Sequence, residues 1–159
     1  MHNEHKEIDY LIEKAISYGF ASRESIKGCT DEQIEELQNQ NKDILLPGDY
    51  VYFMKKAGGY PFKYFSVELD IRSAICAVDI AEEFVEEAPD FDLSQKLFIG
   101  NYKFDVIFFF KKGSSALYSF DEVEEEKAGD SFTSFLYSKI ESFKKDMDGA
   151  ERLKRKMEN

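Results

Sequence analysis

Three short apolar runs in close succession limit the folds open to this chain. They read "KLFIG" (96–100), "DVIFFF" (105–110) and "SALYSF" (115–120). Runs of this length that are rich in Phe, Val and Ile favour β-strands, and the polar stretch "FKKGSS" between the last two is typical of a hairpin turn. The alternating run "FKYFSVEL" (62–69) predicts one more strand upstream.

Helical periodicity surrounds these strands. Five segments place apolar residues at helical spacing: residues 7–18, 29–40, 49–57, 78–91 and 131–145. Thr30 and Gln33 have the spacing of a capping box, and Ser131 is a candidate cap for the last helix. Helices come first, then strands interrupted by one helix, then a final helix. This order favours an α+β fold with a mostly antiparallel sheet packed against several helices.

The third predicted helix carries many aromatic residues but no group with evident chemistry. Tyr50, Phe53 and Met54 share one side of it, a spacing that more often indicates a buried face than a ligand site. Gly58 and Gly59 follow, and they are expected to give the chain an exit with positive φ. This segment is therefore interpreted as structural.

The length of 159 residues fits one domain that can bury a sizeable core. No segment has the composition of an interdomain linker. We expect a single domain over residues 1–145, followed by a charged tail over residues 146–159. The tail lacks a sustained apolar face, so it is predicted to fray.

Charge is distributed unevenly along the chain. The net charge is −11, and residues 79–130 hold most of the excess, with fourteen acidic residues against five basic ones. Such a chain is repelled by nucleic acid and by anionic membranes, whereas a basic protein is attracted to it. The composition therefore points to a basic protein partner.

Few side chains could carry out catalysis. His2 and His5 are the only histidines, and they lie in an N-terminal segment that is expected to be mobile. Cys29 and Cys76 have no metal-like spacing, so two reduced thiols are expected. The glycines of "KAGGY" and "KKGSS" lack the spacing of a phosphate loop. No enzyme activity, cofactor or metal site is predicted.

Two segments of the sequence indicate where in the cell the protein is expected. The polar, acidic start "MHNEHKEIDY" is unlike a signal or transit peptide. The run "DVIFFF" is too short to span a bilayer. We expect a soluble, cytoplasmic protein.

Two acidic segments supply the candidate partner-binding residues. The carboxylates are Glu82, Glu83, Glu86, Glu87, Asp90, Asp92, Asp121, Glu122, Glu124, Glu125, Glu126 and Asp130. Tyr60, Tyr64, Tyr102 and Tyr118 are candidate aromatic anchors. A solvated surface is the alternative interpretation of the carboxylates, and half-buried sheet positions are the alternative for the tyrosines.

Several landmarks occur together in a familiar order. They are "TDEQIEELQNQNKDILLPGDYVYFMKKAGG", "KLFIGNYKFDVIFFF", "ALYSFDE" and "DSFTSFLYSKI". Between about residue 30 and residue 140 the chain resembles the SUKH superfamily, which includes the fungal Smi/Knr regulators of cell-wall synthesis and many bacterial immunity proteins.

The resemblance implies an α+β fold and a role in polymorphic-toxin systems. Such immunity proteins bind a cognate toxin, often a nuclease, and block it without catalysis. A non-catalytic scaffold module with a regulatory role is the first alternative, and an acidic protein that binds a small molecule is the second. The oligomeric state stays open.

Overall fold

The computed structural model describes residues 2–60, 62–63 and 65–158. The helices are α1 (His2–Ser17), α2 (Asp31–Gln38), α3 (Gly48–Ala57), α4 (Ile71–Glu87) and α5 (Phe132–Glu158). The strands are β1 (Val67–Glu68), β2 (Lys96–Tyr102), β3 (Val106–Lys111), β4 (Leu117–Phe120) and β5 (Glu125–Gly129).

The strands form one antiparallel sheet in the order β1-β2-β3-β4-β5. Apart from α4, which lies between β1 and β2 in sequence, the sheet is a meander in which each strand pairs with the next. The predicted α+β class and antiparallel sheet are confirmed.

Both faces of the sheet are buried. On one face, Leu97, Ile99 and Phe110 pack in a core with α1, α3 and α5, and on the other, Phe98 and Phe109 pack against α4; each core also includes further sheet and helix residues. Because successive side chains of a strand point to opposite faces, a strand that is covered on both sides reads as a continuous apolar run. This explains why "KLFI" and "VIFFF" do not alternate.

The side-chain amide of Gln40 protects the open edge of β2. In the described ranges, β1 pairs with Asn101 and Tyr102 alone, and the start of β2 has no neighbouring strand on that side. There the Gln40 amide donates to the carbonyl oxygen of Phe98 at 3.4 Å, and its Oε1 accepts from the Phe98 N–H at 2.8 Å. The Gln40 amide thus takes the place of a neighbouring strand at an edge that would otherwise be free to pair with another chain.

The predicted helix caps form as the sequence indicates. Thr30 and Gln33 make the reciprocal hydrogen bonds of a capping box at the start of α2. Ser131 Oγ accepts from the N–H of Ser134 at 3.1 Å and so caps α5. Asp70 caps α4 in the same way through Ser73, which places the start of this helix at Ile71, before the predicted residue 78.

Gly58 and Gly59 do not have the predicted positive φ. Gly58 has a φ of −70° and caps α3 in a right-handed conformation. Space favours glycine there, because a Cβ at residue 58 would lie 2.8 Å from the backbone Cα of Met54 and 2.8 Å from Cys29 Sγ. At residue 59 a Cβ would lie 2.9 Å from the carbonyl oxygen of Gly28.

Three further elements differ from the sequence-based prediction. In the second acidic segment, for which no strand was predicted, residues Glu125–Gly129 form the edge strand β5, which pairs with β4. Of the predicted strand 62–69, only Val67–Glu68 is a strand in the part of the chain that the structure describes. Helix α5 continues through the predicted tail to Glu158, and whether that end frays stays a prediction.

Candidate partner-binding surface

The acidic residues of α4 lie on its outer side. Glu82, Glu83, Glu86 and Glu87 are exposed, whereas Ala81 and Phe84 of the same helix are buried against the sheet. This placement follows from helical periodicity, because residues that alternate with an inward stripe must face solvent. The α4 carboxylates therefore form a charged layer over one face of the sheet.

A pair of stacked rings joins the two acidic segments. Phe91, which lies between the exposed Asp90 and Asp92, stacks on Phe120 with ring centroids 3.9 Å apart and an interplanar angle of 6°. Phe120 immediately precedes Asp121, where the second acidic segment begins. The stack thus brings the end of the first acidic segment, with Asp90 and Asp92, against the start of the second segment at Asp121. We call the exposed carboxylates from α4 over the α4–β2 loop to the β4–β5 turn the acidic surface.

Glu125 differs from the other carboxylates because its charge is compensated within the molecule. It pairs with Lys111 and lies 3.9 Å from Lys96 Nζ. The Lys96 ammonium in turn lies over the Phe91 ring, 4.7 Å from its centroid, and burial lowers the pKa of this lysine. Glu125 therefore stabilises two lysines on the α4 side of the sheet.

Glu124 and Glu126 are on the opposite side of β5 from Glu125. A hydrogen bond and charge repulsion from Glu126 raise the pKa of Glu124, because two neighbouring carboxylates resist being ionised together. Both residues line a cavity of about 280 Å³ beside α5, and Tyr102 and Lys139 line it as well. Among the described residues neither Glu124 nor Glu126 belongs to an ion pair, so this carboxylate pair can attract a cation.

Three further acidic residues have local roles. Asp92 accepts from the N–H of Ser94 at 2.9 Å, and this contact lowers the pKa of Asp92. Backbone N–H groups in the β4–β5 turn lower the pKa of Asp121 in the same way. Asp130 lies 3.4 Å from Lys127. Asp92 and Asp121 therefore stay ionised and fix the turns that carry the acidic surface.

The predicted aromatic anchors do not come together. Tyr102 lies beside the acidic surface, but Tyr60 is 49% exposed next to Gly59 and Arg72, in a cavity of about 440 Å³ that does not include the acidic surface. Tyr118 is half-buried, and Lys111 Nζ lies 4.2 Å from its ring centroid. Tyr64 lies outside the described residues.

Sequence reasoning missed two exposed apolar residues at the turns. Phe104, in the β2–β3 turn, is 66% exposed, and Val123, in the β4–β5 turn, is 86% exposed. The available signal was an apolar residue flanked by charged ones in each predicted turn, "KFD" and "EVE". Both turns lie at the same end of the sheet, because in a meander every second connection returns to that end.

The groups considered for catalysis are placed without a shared site. His5 belongs to α1, contrary to the predicted mobile segment, and its ring stacks on Tyr52 at 4.0 Å. Cys76 is exposed, and burial raises the pKa of Cys29 to about 11. No group of three or more potential metal ligands occurs in the part of the chain that the structure describes. Among the same residues, no helix has the length and apolar character needed to cross a membrane.

The fold and this surface define an α+β protein whose antiparallel sheet lies between α4 and the helices α1, α3 and α5, with carboxylates along one side. A family model described as the SMI1 / KNR4 family (SUKH-1) matches residues 28–138, and the chain belongs to this family. The resemblance seen between about residue 30 and residue 140 is thereby confirmed. Helix α1 and most of α5 lie outside the match. No curated protein matches the chain.

Proposed function

We propose that this chain is an immunity protein that binds a cognate basic protein toxin and blocks it by covering its basic surface, without catalysis. The observation that carries the proposal is the Phe91–Phe120 stack, which brings the end of the first acidic segment against the start of the second. Family membership supports it, since the SUKH resemblance implies toxin neutralisation. A toxin that acts on nucleic acid fits best, because such an enzyme holds phosphates with Lys and Arg.

Attraction between the opposite charges of the two proteins affects their association rate more than their final affinity. Opposite charges on two surfaces raise the association rate and disfavour wrong partners, and salt screens the effect. With a net charge of −11, the protein attracts a cationic partner over a long range at low salt. A toxin that acts inside the producing cell would place this encounter in the cytoplasm.

The experiment measures association with the candidate toxin encoded beside this gene, in a catalytically inactive form. The test variant replaces Glu122, Glu124 and Glu126 with Lys. Glu125 is left unchanged because it pairs with Lys111. The association rate at low salt should fall about tenfold or more, and the difference should shrink as salt is added.

A matched control separates local charge from net charge. Glu32, Glu35 and Glu36 are exposed on α2, and their replacement with Lys alters the net charge equally. The control should retain most of the association rate and should still protect cells from the toxin. Equal slowing of association in both variants would mean that net charge, and not the position of the carboxylates, sets the association rate. Absence of binding by the unmodified protein would overturn the proposed function.

A further inference from the structure

We propose that Phe104 and Val123 are the two apolar anchors of the partner contact, so that the toxin docks on the end of the sheet that carries the β2–β3 and β4–β5 turns. This inference rests on the proposed function and assigns the part of the surface that supplies affinity. Exposed apolar side chains scattered singly need no explanation. Here two of them share one end of the sheet, beside the acidic surface.

The β2–β3 turn holds Phe104 in a fixed position. The N–H of Asp105 donates to the carbonyl oxygen of Tyr102 at 3.0 Å, which closes the turn. Asn101 Oδ1 accepts from the N–H of Phe104 at 3.1 Å, and Asn101 itself is only 2% exposed. A buried amide therefore supports an aromatic residue that is directed to solvent.

The β4–β5 turn holds Val123 in a comparable way. Asp121 Oδ1 accepts from the N–H groups of Val123 and Glu124, at 3.0 and 2.8 Å. The side chain of Val123 gains nothing from this arrangement within the molecule, because it is 86% exposed. A turn fixed in this manner presents a branched apolar group with little freedom left to lose on binding.

Backbone conformation distinguishes this end of the sheet from the other. Lys103, Phe104 and Glu122 have φ values of 50°, 63° and 77°, and they are the non-glycine residues with positive φ in the described part of the chain. At the opposite end, the β3–β4 turn uses Gly113 for its positive φ. An aromatic residue in this conformation is uncommon and costs free energy, which Gly or Asn at the same position would largely avoid.

The spacing and the surrounding charge indicate the occupant. Adjacent strands lie about 4.8 Å apart, so the two turns are separated by about 10 Å. Around the anchors, Asp105, Asp121, Glu122 and Glu124 outnumber Lys103. The matching partner is a protein surface with an apolar patch bordered by Lys or Arg, because apolar anchors in a charged rim are typical of the energetic centre of an interface.

The test is a double variant in which Phe104→Asn and Val123→Ser are combined. Asn tolerates positive φ, so the turn is kept, and both residues are exposed, so the melting temperature should be unchanged. The dissociation constant for the inactive toxin is measured in about 0.5 M salt, where attraction between surface charges is screened. It should rise about 100-fold, mainly through faster dissociation.

The matched control removes two exposed apolar side chains elsewhere. Leu45 and Leu153 are 83% and 60% exposed, and their replacement with Ser should leave the dissociation constant within about threefold. Unchanged binding by the Phe104/Val123 variant would overturn this inference while the proposed function stands, as would an equal loss in the control. Failure of the unmodified protein to bind the toxin would overturn both.

Discussion

At the scale of single residues, Asp49 shows that a carboxylate in an acidic chain can be structural. It is only 5% exposed. Its Oδ2 accepts from the N–H and the hydroxyl of Thr133 at 2.9 and 2.8 Å, and its Oδ1 accepts from the N–H of Tyr50 at 2.8 Å. This side chain therefore joins the start of α3 to the start of α5 and satisfies donors that both helices would otherwise leave free.

Replacement of Asp49 with Ala should destabilise the fold by about 2–4 kcal/mol, since hydrogen bonds to charged groups contribute about 1.5–3 kcal/mol each and the half-buried Thr133 donors would lose their acceptor. Urea denaturation followed by circular dichroism measures the change. Asp49→Asn keeps one acceptor and should lose less. Asp43→Ala, at an exposed position in the same segment, should change the free energy of unfolding by less than about 0.5 kcal/mol. Equal effects at residues 43 and 49 would refute the structural role.

Sequence patterns predict whether a residue is buried better than they predict its partners. Tyr50, Phe53 and Met54 are buried, as their spacing on α3 indicated. The partner of Asp49 could not be predicted, because Thr133 is far away in sequence and only the packing of α3 against α5 brings the two together. Gly58 was predicted to be needed, but for backbone conformation, whereas the actual reason is the closeness of Cys29.

At the scale of elements, the end of α5 tests how far a helix extends without a core to pack on. The buried residues of this helix end at Ile140, and the segment beyond Asp148 is mostly exposed. Gly149 lies within that segment, and a Cβ there would meet no atom within 4 Å. Helix formation at this end therefore depends on local propensity, which glycine weakens.

Gly149→Ala should stabilise the end of α5 by about 0.5–1 kcal/mol, because alanine favours the helix and the added methyl group has free space. Hydrogen exchange of the amides around residue 149, measured by NMR, should slow by up to about fivefold, since each 1.4 kcal/mol is worth a factor of ten. Gly113→Ala is the matched comparison and should destabilise the protein, because residue 113 has a φ of 76°. Unchanged exchange after Gly149→Ala would mean that this segment is not helical in solution.

Sequence reasoning missed strand β5 and the first part of α4, for different reasons. Strand β5 reads Glu-Glu-Lys-Ala-Gly, which lacks strand-forming residues, and it is held by pairing with β4 and by the contact of Glu125 with Lys111. Edge strands often carry charges, since charges discourage pairing with other chains. The early start of α4 was readable in principle from Asp70 and Ser73, which have the spacing of an N-terminal cap.

At the scale of the whole molecule, the acidic surface depends on tertiary packing. The excess of carboxylates in residues 79–130 was evident from composition, but the contact between the two acidic segments was not. It requires Phe91 and Phe120 to stack, and no local pattern relates these two residues. The same packing divides the carboxylates into compensated and uncompensated ones, because the pleat of β5 directs Glu125 toward Lys111 and leaves Glu124 and Glu126 on the other side.

This division predicts how partner binding depends on pH. Glu126 raises the pKa of Glu124, so on acidification Glu124 takes up a proton at a higher pH than an ordinary glutamate does. Affinity for a basic partner should therefore begin to fall while Asp92 and Asp121, whose pKa values are lowered, remain ionised. The Glu126→Gln variant lacks the second charge, so its affinity should begin to fall at a lower pH than that of the unmodified protein.

Folding stability changes in the opposite direction, which separates loss of binding from unfolding. Because the folded state raises the pKa of Glu124, it binds this proton more tightly than the unfolded chain, and protonation of Glu124 favours folding as the pH falls. As the pH falls toward the range in which an ordinary glutamate takes up a proton, affinity should thus decline without a lower melting temperature from this group. Calorimetry with the inactive toxin measures the affinity, thermal unfolding followed by circular dichroism measures the melting temperature, and carbon-13 NMR of the Glu124 carboxyl follows its titration. Identical titration of Glu124 in the unmodified protein and in Glu126→Gln would show that the two carboxylates do not interact, and the pH dependence would then lose its basis.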